Sequence, residues 1–131
     1  MFLQDLHCRI ALSTLFFAFV LGAWGVVNFV LTRGVTSNYL GALVIGEILV
    51  LLQGVLGVIL VISGKWPADA LHFLYGVTIA ICWPGVYTYT HAETSRREMG
   101  IYAIVSFFIF GLALRAMTTG AGPAGATCLP H

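Results

Sequence analysis

Four apolar runs, each long enough to cross a bilayer, constrain this chain more than any other feature. A helix rising about 1.5 Å per residue needs about 20 apolar residues to cross a hydrocarbon core about 30 Å thick. The runs predict helices from about Arg9 to Leu31, Tyr39 to Ser63, Ala68 to Thr90 and Glu98 to Met117. In lipid only helices and closed barrels satisfy the backbone's polar groups, and these runs lack the alternation of barrel strands. The connections, Arg33 to Asn38, Gly64 to Pro67 and His91 to Arg97, are short and polar. Short links make sequential helices antiparallel neighbours. The expected fold is therefore all-α: a polytopic membrane protein with four transmembrane helices in an up-down-up-down antiparallel bundle. It occupies residues 1–119 and is followed by a Gly/Ala/Pro-rich tail, residues 120–131, expected to be disordered.

Charge and cysteine usage narrow the function classes. Only 8% of residues are charged and 60% are hydrophobic, against about 25% charged in soluble domains. A formal charge of +1 leaves no basic surface for nucleic acid. Cys8, Cys82 and Cys128 are scattered, without the spacing of a zinc site or a disulfide framework. The first apolar run exceeds a signal-peptide core and no Ala-x-Ala site follows it, so it reads as a retained helix. Arg9, Lys65 and Arg115 fall on one side and Arg33, Arg96 and Arg97 on the other, a tie under the positive-inside rule. An even helix count puts both termini on one side, taken here as the cytoplasmic side of a bacterial cytoplasmic membrane.

Boundary chemistry supports the segmentation. Ser37 and Asn38 are candidate N-caps of the second helix, and Gly64 is a candidate C-terminal stop. Pro67 suits the first turn of the third helix, with Asp69 beside its positive end. Thr94 or Ser95 can cap the fourth, where Glu98 occupies the acidic position of a capping box.

Glu47 lies inside the second run with no basic residue within ten positions. An acid at membrane depth costs about 2.5–3.5 kcal/mol on insertion scales, so it pairs, titrates or coordinates something. At 100° per residue, Gly46, Glu47, Val50, Gln53, Gly54 and Gly57 share an arc of about 120°. Small residues allow close helix approach and polar ones need partners. This face is thus a packing seam with one satisfied acid, or a ligand, proton or ion site. By axial rise, Glu47 lies about 12 Å below the face carrying Arg33, level with Trp83 and Ser106, while Asn28, Tyr87 and Tyr102 are shallower. The expected state is a neutral carboxyl bonded to Asn28, Ser106 or a Tyr hydroxyl.

A second layer near the opposite face contains His72, Arg115, Gln53 and the Ser13–Thr14 pair, with His7 preceding the first helix on the same side. Pro84, between Trp83 and Gly85, removes an amide hydrogen and displaces the Ala80 carbonyl, which predicts a kink there, with Tyr87 and Tyr89 following. The vicinity of a ligand or cofactor, if there is one, is His72, Tyr75, Trp83, Tyr87, Ser106 and Arg115. Haem b held by two histidines needs facing ligands at one depth. His7 and His72 are the one same-side pair, and His7 reads as lying outside the hydrocarbon. Trp24, Tyr39, Trp66, Tyr87 and Tyr89 suit interfacial belts. No phosphate loop, zinc-protease motif or hydrolytic triad is present, so neither catalytic nor metal residues are assigned.

Gly46-Glu47 with Gln53, His72-x-x-Tyr75-Gly76 and Arg115-x-x-x-Thr119-Gly120 give the chain a resemblance to small uncharacterised four-helix bacterial integral membrane proteins. That resemblance covers the four helices and implies the bundle, with no activity to carry over. The function expected is a non-enzymatic membrane subunit or accessory protein in a larger assembly, an energy-transducing complex in particular. It would be surrounded by lipid and bound to partner subunits or to copies of itself. The alternatives are a haem- or quinone-binding redox protein and an oligomeric proton or small-solute conductor using Glu47. No cofactor is assigned.

Overall fold

A computed structural model describes residues 2–120, and these are helical apart from short connections. The elements are α1 (Phe2–Val30), α2 (Ser37–Ile62), α3 (Leu71–Tyr89) and α4 (Arg96–Thr119). All four are long and apolar enough to cross a membrane, consistent with an integral membrane protein. Beyond Gly120, the tail predicted to be disordered lies outside the described residues. Phe16, Val20, Val58, Val77 and Ile104 are among many large apolar side chains on the outer surface. Water does not tolerate apolar patches of that extent, whereas hydrocarbon does.

Contacts run in a closed cycle from α1 to α2, α3, α4 and back to α1. The first and last helices make the most extensive contact, and α2 with α3 the least. Accordingly 39% and 33% of the apolar 18-residue stretches of α1 and α4 are buried, against 17% and 11% for α2 and α3. Small residues explain the asymmetry. A Cβ on Gly25 would lie 2.8 Å from Ala103 Cβ and 3.0 Å from Ala103 Cα, so α1 and α4 meet nearly backbone to backbone. Around that seam, Ala18 and Leu21 of α1, Tyr39 and Leu43 of α2, Trp83 of α3, and Met99, Tyr102 and Ile109 of α4 form the core.

The connections are tied across the ends of the molecule. Val35 N–H donates to the Thr94 carbonyl at 2.9 Å, joining the α1–α2 link to the α3–α4 link. Arg96 Nε donates to the Phe29 carbonyl at 2.8 Å, and its guanidinium carbon sits 4.0 Å from the centre of the Phe29 ring. At the other end Asp69 N–H donates to the Thr119 carbonyl at 3.1 Å.

Helix boundaries depart from the sequence reading in three places. α1 begins at Phe2, two turns before Arg9. The polar residues Gln4, Asp5 and Arg9 end the apolar run without ending the helix, and Asp5 pairs with Arg9 Nε at 2.7 Å one turn along. The N-cap of α2 is Thr36 and neither Ser37 nor Asn38: its hydroxyl accepts from Tyr39 N–H at 3.1 Å. α3 starts at Leu71, leaving Pro67 outside it. Asp69 Oδ1 accepts from Leu71 N–H at 2.9 Å, holding a turn in front of the helix.

Elsewhere the local chemistry is as the residues dictate. Gly64 has φ +89°, with its N–H on Val61 O and that of Lys65 on Leu60 O, both at 2.9 Å. That is a Schellman stop, for which glycine is the favoured residue. Glu98 Oε1 accepts from the Ser95 N–H at 3.2 Å and from the Ser95 hydroxyl, forming the capping box of α4. α3 continues as helix through Pro84.

Candidate functional site

Two polar clusters lie at different depths of the molecule. The first is built around Trp83, which is 3% exposed. Its ring covers Gly46, where a Cβ would fall 2.8 Å from Trp83 Cζ3 and 3.1 Å from Phe17 Cδ1. Only glycine lets the indole lie against α2 there. Trp83 Nε1 donates to Ser106 Oγ at 3.1 Å, so α3 and α4 are joined through a fully buried hydroxyl. Tyr39, also fully buried, donates from its hydroxyl to the Leu21 carbonyl at 2.8 Å. Its ring packs edge-on to Trp24 at 5.1 Å and to Tyr102 at 6.2 Å.

The depth arithmetic thus brings Gly46, Trp83 and Ser106 to one level, with Glu47 beside them. The hydrogen bonds fall differently. Ser106 serves Trp83, and Asn28 Nδ2 points to Met99 Sδ at 3.7 Å. Glu47 is half-buried near Cys82 of α3, and its Oε2 is buried with no hydrogen-bond partner among the described residues. The Tyr102 hydroxyl is likewise buried without one. Arg33 and Tyr87 are both exposed.

The α2 face divides along its length. Gly46 and Val50 are buried against the neighbouring helices. Gln53 and Gly57 turn towards α1, where a Cβ on Gly57 would meet His7 Cε1 at 3.5 Å. Gly54 is exposed with nothing within 4 Å of its would-be Cβ.

The second cluster gathers His7 of α1, Gln53 of α2, His72 of α3 and Thr119 of α4. Because α1 starts early, His7 is helical and does not precede the helix. Its ring centre stands 6.3 Å from that of His72, with the planes inclined at 57°. Gln53 Nε2 lies 3.3 Å from His7 Nε2, and His72 Nδ1 lies 2.9 Å from the Ala116 carbonyl. Thr119 Oγ1 is 3.5 Å from His72 Nδ1. Of the residues grouped with His72 by sequence, Arg115 is exposed and Tyr75 half-buried, and neither hydrogen-bonds to His72. Thr14 is buried and bonded to its own helix at Ile10 O, while Ser13 is exposed and bonded to Arg9 O.

One residue central to these clusters escaped the sequence reading. Tyr39 looks like an interfacial tyrosine because it opens a helix, yet it is the most enclosed aromatic of the core. The signal available was Gly25, whose missing side chain makes room for the Tyr39 hydroxyl 3.1 Å from its would-be Cβ. No family model matches the chain, and neither curated proteins nor solved structures give a match.

Proposed function

We propose that this chain is a non-enzymatic integral membrane subunit that docks onto another membrane protein through the outer face of α2 and α3. It inserts as four helices in an up-down-up-down antiparallel order, with both termini on one side of the membrane. The Val35–Thr94 tie at one end and the Asp69–Thr119 tie at the other support that order.

One observation carries the docking reading. Glu47 and Gly54 stand two turns apart on one stripe of α2, within about 20° of each other by helical periodicity. Among the described residues, Glu47 has a buried carboxylate oxygen without a donor, and nothing lies within 4 Å of a would-be Cβ on Gly54. A partner helix can approach closely at Gly54, and rotation of the half-buried Glu47 side chain would bring its carboxyl to a donor on that helix. Gly76 and Gly85 of α3 are also open, but nine residues set them on opposite sides of that helix, so at most one of them lies on this face. Lipid gains nothing from these notches. Docking of this kind fits a subunit of a larger assembly, and the assembly we propose is an energy-transducing complex.

The test is purification of the full chain in a mild detergent after cross-linking in native membranes. A stoichiometric membrane protein is expected to accompany it and to be lost with Gly54→Leu and with Glu47→Leu. Recovery as a lone monomer from both preparations would refute the proposal. A homo-oligomer carrying pH-dependent proton flux in vesicles, abolished by Glu47→Gln, would replace it with the conductor reading.

A further inference from the structure

The His7–His72 cluster is separate from the face of Glu47 and Gly54 and supports a different inference. His72 Nδ1 lies 2.9 Å from the Ala116 carbonyl oxygen, which can only accept. Nδ1 therefore carries a proton, and in the neutral tautomer this fixes, Nε2 holds the lone pair. His7 presents Nε2 to the Gln53 amide at 3.3 Å, while among the described residues its Nδ1 is buried without a partner, as is Gln53 Oε1. Turned by half a rotation, the Gln53 amide offers its oxygen to the Nε2 proton. His7 Nδ1 is then a second imidazole lone pair with nothing to accept.

Two imidazoles, each with one N–H pinned by a carbonyl, reproduce the anchoring that metal-binding histidines use. Distance agrees as well. With metal–nitrogen bonds of about 2.0 Å and about 1.1 Å from nitrogen to ring centre, rings sharing an ion are about 5 Å apart when tetrahedral and about 6 Å when linear. The observed 6.3 Å is at the linear limit. Among the described residues no group of three or more His, Cys, Asp or Glu side chains can hold a metal, so two protein ligands are what the cluster supplies. Zinc demands four ligands, whereas Cu(I) is satisfied by two in a line.

We infer that His7 and His72 form a two-coordinate site for Cu(I), with Gln53 and the Ala116 carbonyl as positioning groups. The test uses the full chain, purified in detergent and titrated with Cu(I) under ascorbate against a chromogenic Cu(I) chelator. One ion per chain is expected, with an absorption edge characteristic of linear nitrogen coordination. His7→Gln, which preserves volume and polarity beside Gln53, and His72→Ala should each weaken binding about tenfold or more. His91→Ala, at the opposite end of α3, should leave it unchanged. Circular dichroism establishes that each variant is folded, and His7→Gln serves alone if His72→Ala is not. Substoichiometric uptake, unaltered affinity in folded His7→Gln, or tighter binding of Zn(II) than of Cu(I) would each overturn the assignment. So would a six-coordinate haem spectrum in the purified protein that disappears in the histidine variants.

Discussion

Gly25 makes the clearest quantitative test of how the molecule is held together. Replacing it by alanine sets a methyl carbon 2.8 Å from Ala103 Cβ, 3.0 Å from Ala103 Cα and 3.1 Å from the Tyr39 hydroxyl. Unstrained carbon contacts lie at about 3.5–4.0 Å. α1 and α4 must therefore part by roughly half an ångström to one ångström, since the obstacle includes α4 backbone and cannot rotate away. The displacement also loads the 2.8 Å bond from Tyr39 to the Leu21 carbonyl. Overpacking of this kind costs about 1–3 kcal/mol, partly offset by the better helix propensity of alanine, about 1 kcal/mol. Gly54→Ala isolates the second effect, because nothing lies within 4 Å of its would-be Cβ. The difference between the two variants removes propensity and leaves the clash, an expected gap of about 1–3 kcal/mol with Gly25→Ala the less stable. Reversible unfolding in mixed micelles, followed by circular dichroism, measures it. If Gly25→Ala equals or exceeds Gly54→Ala in stability, the close α1–α4 approach does not hold the bundle.

Three further outcomes follow from single contacts. Trp83→Phe should destabilise by about 1–3 kcal/mol by leaving the buried Ser106 hydroxyl without its donor, and adding Ser106→Ala should recover part of the loss. Strict additivity in that double-mutant cycle would deny the bond. Thr36→Ala should cost about 0.5–2 kcal/mol by removing the α2 cap, with Thr36→Ser close to neutral; equal losses in the two would show that the hydroxyl is not what caps. Tyr39→Phe should lose only its bond to Leu21 O, about 0.5–1.5 kcal/mol, whereas Tyr39→Ala should lose about 3–5 kcal/mol with the ring's packing. A Phe variant as damaged as the Ala variant would relocate the importance of Tyr39 from ring to hydroxyl.

What the sequence revealed was axial, and what it concealed was azimuthal. Run length counts turns, so four helices and a common level for Gly46, Trp83 and Ser106 follow from a rise per residue. Which way a residue faces depends on a neighbour whose identity the run does not contain. Nearly uniform apolarity around α2 erases the amphipathic cue that marks an inner face in soluble helices. Glu47 was therefore given hydrogen-bond partners that turn to Trp83 and Met99 instead. Tyr39 shows the same limit, since its position near a helix start says nothing about the notch at Gly25. His7 shows another. Polarity ended the apolar run at Arg9, but Asp5 and Arg9 pair along an exposed face and let the helix continue. That continuation is what brings His7 beside His72.

The closed cycle of contacts has a consequence for biogenesis. The most extensive contact joins α1 to α4, which is made after it, while α2 and α3 are held loosely. During synthesis the notch at Gly25 has no occupant until Ala103 has left the ribosome, and Tyr39 must wait in an unfinished socket. Synthesis of α1, α2 and α3 is therefore separable from formation of the core, and arrival of α4 completes it.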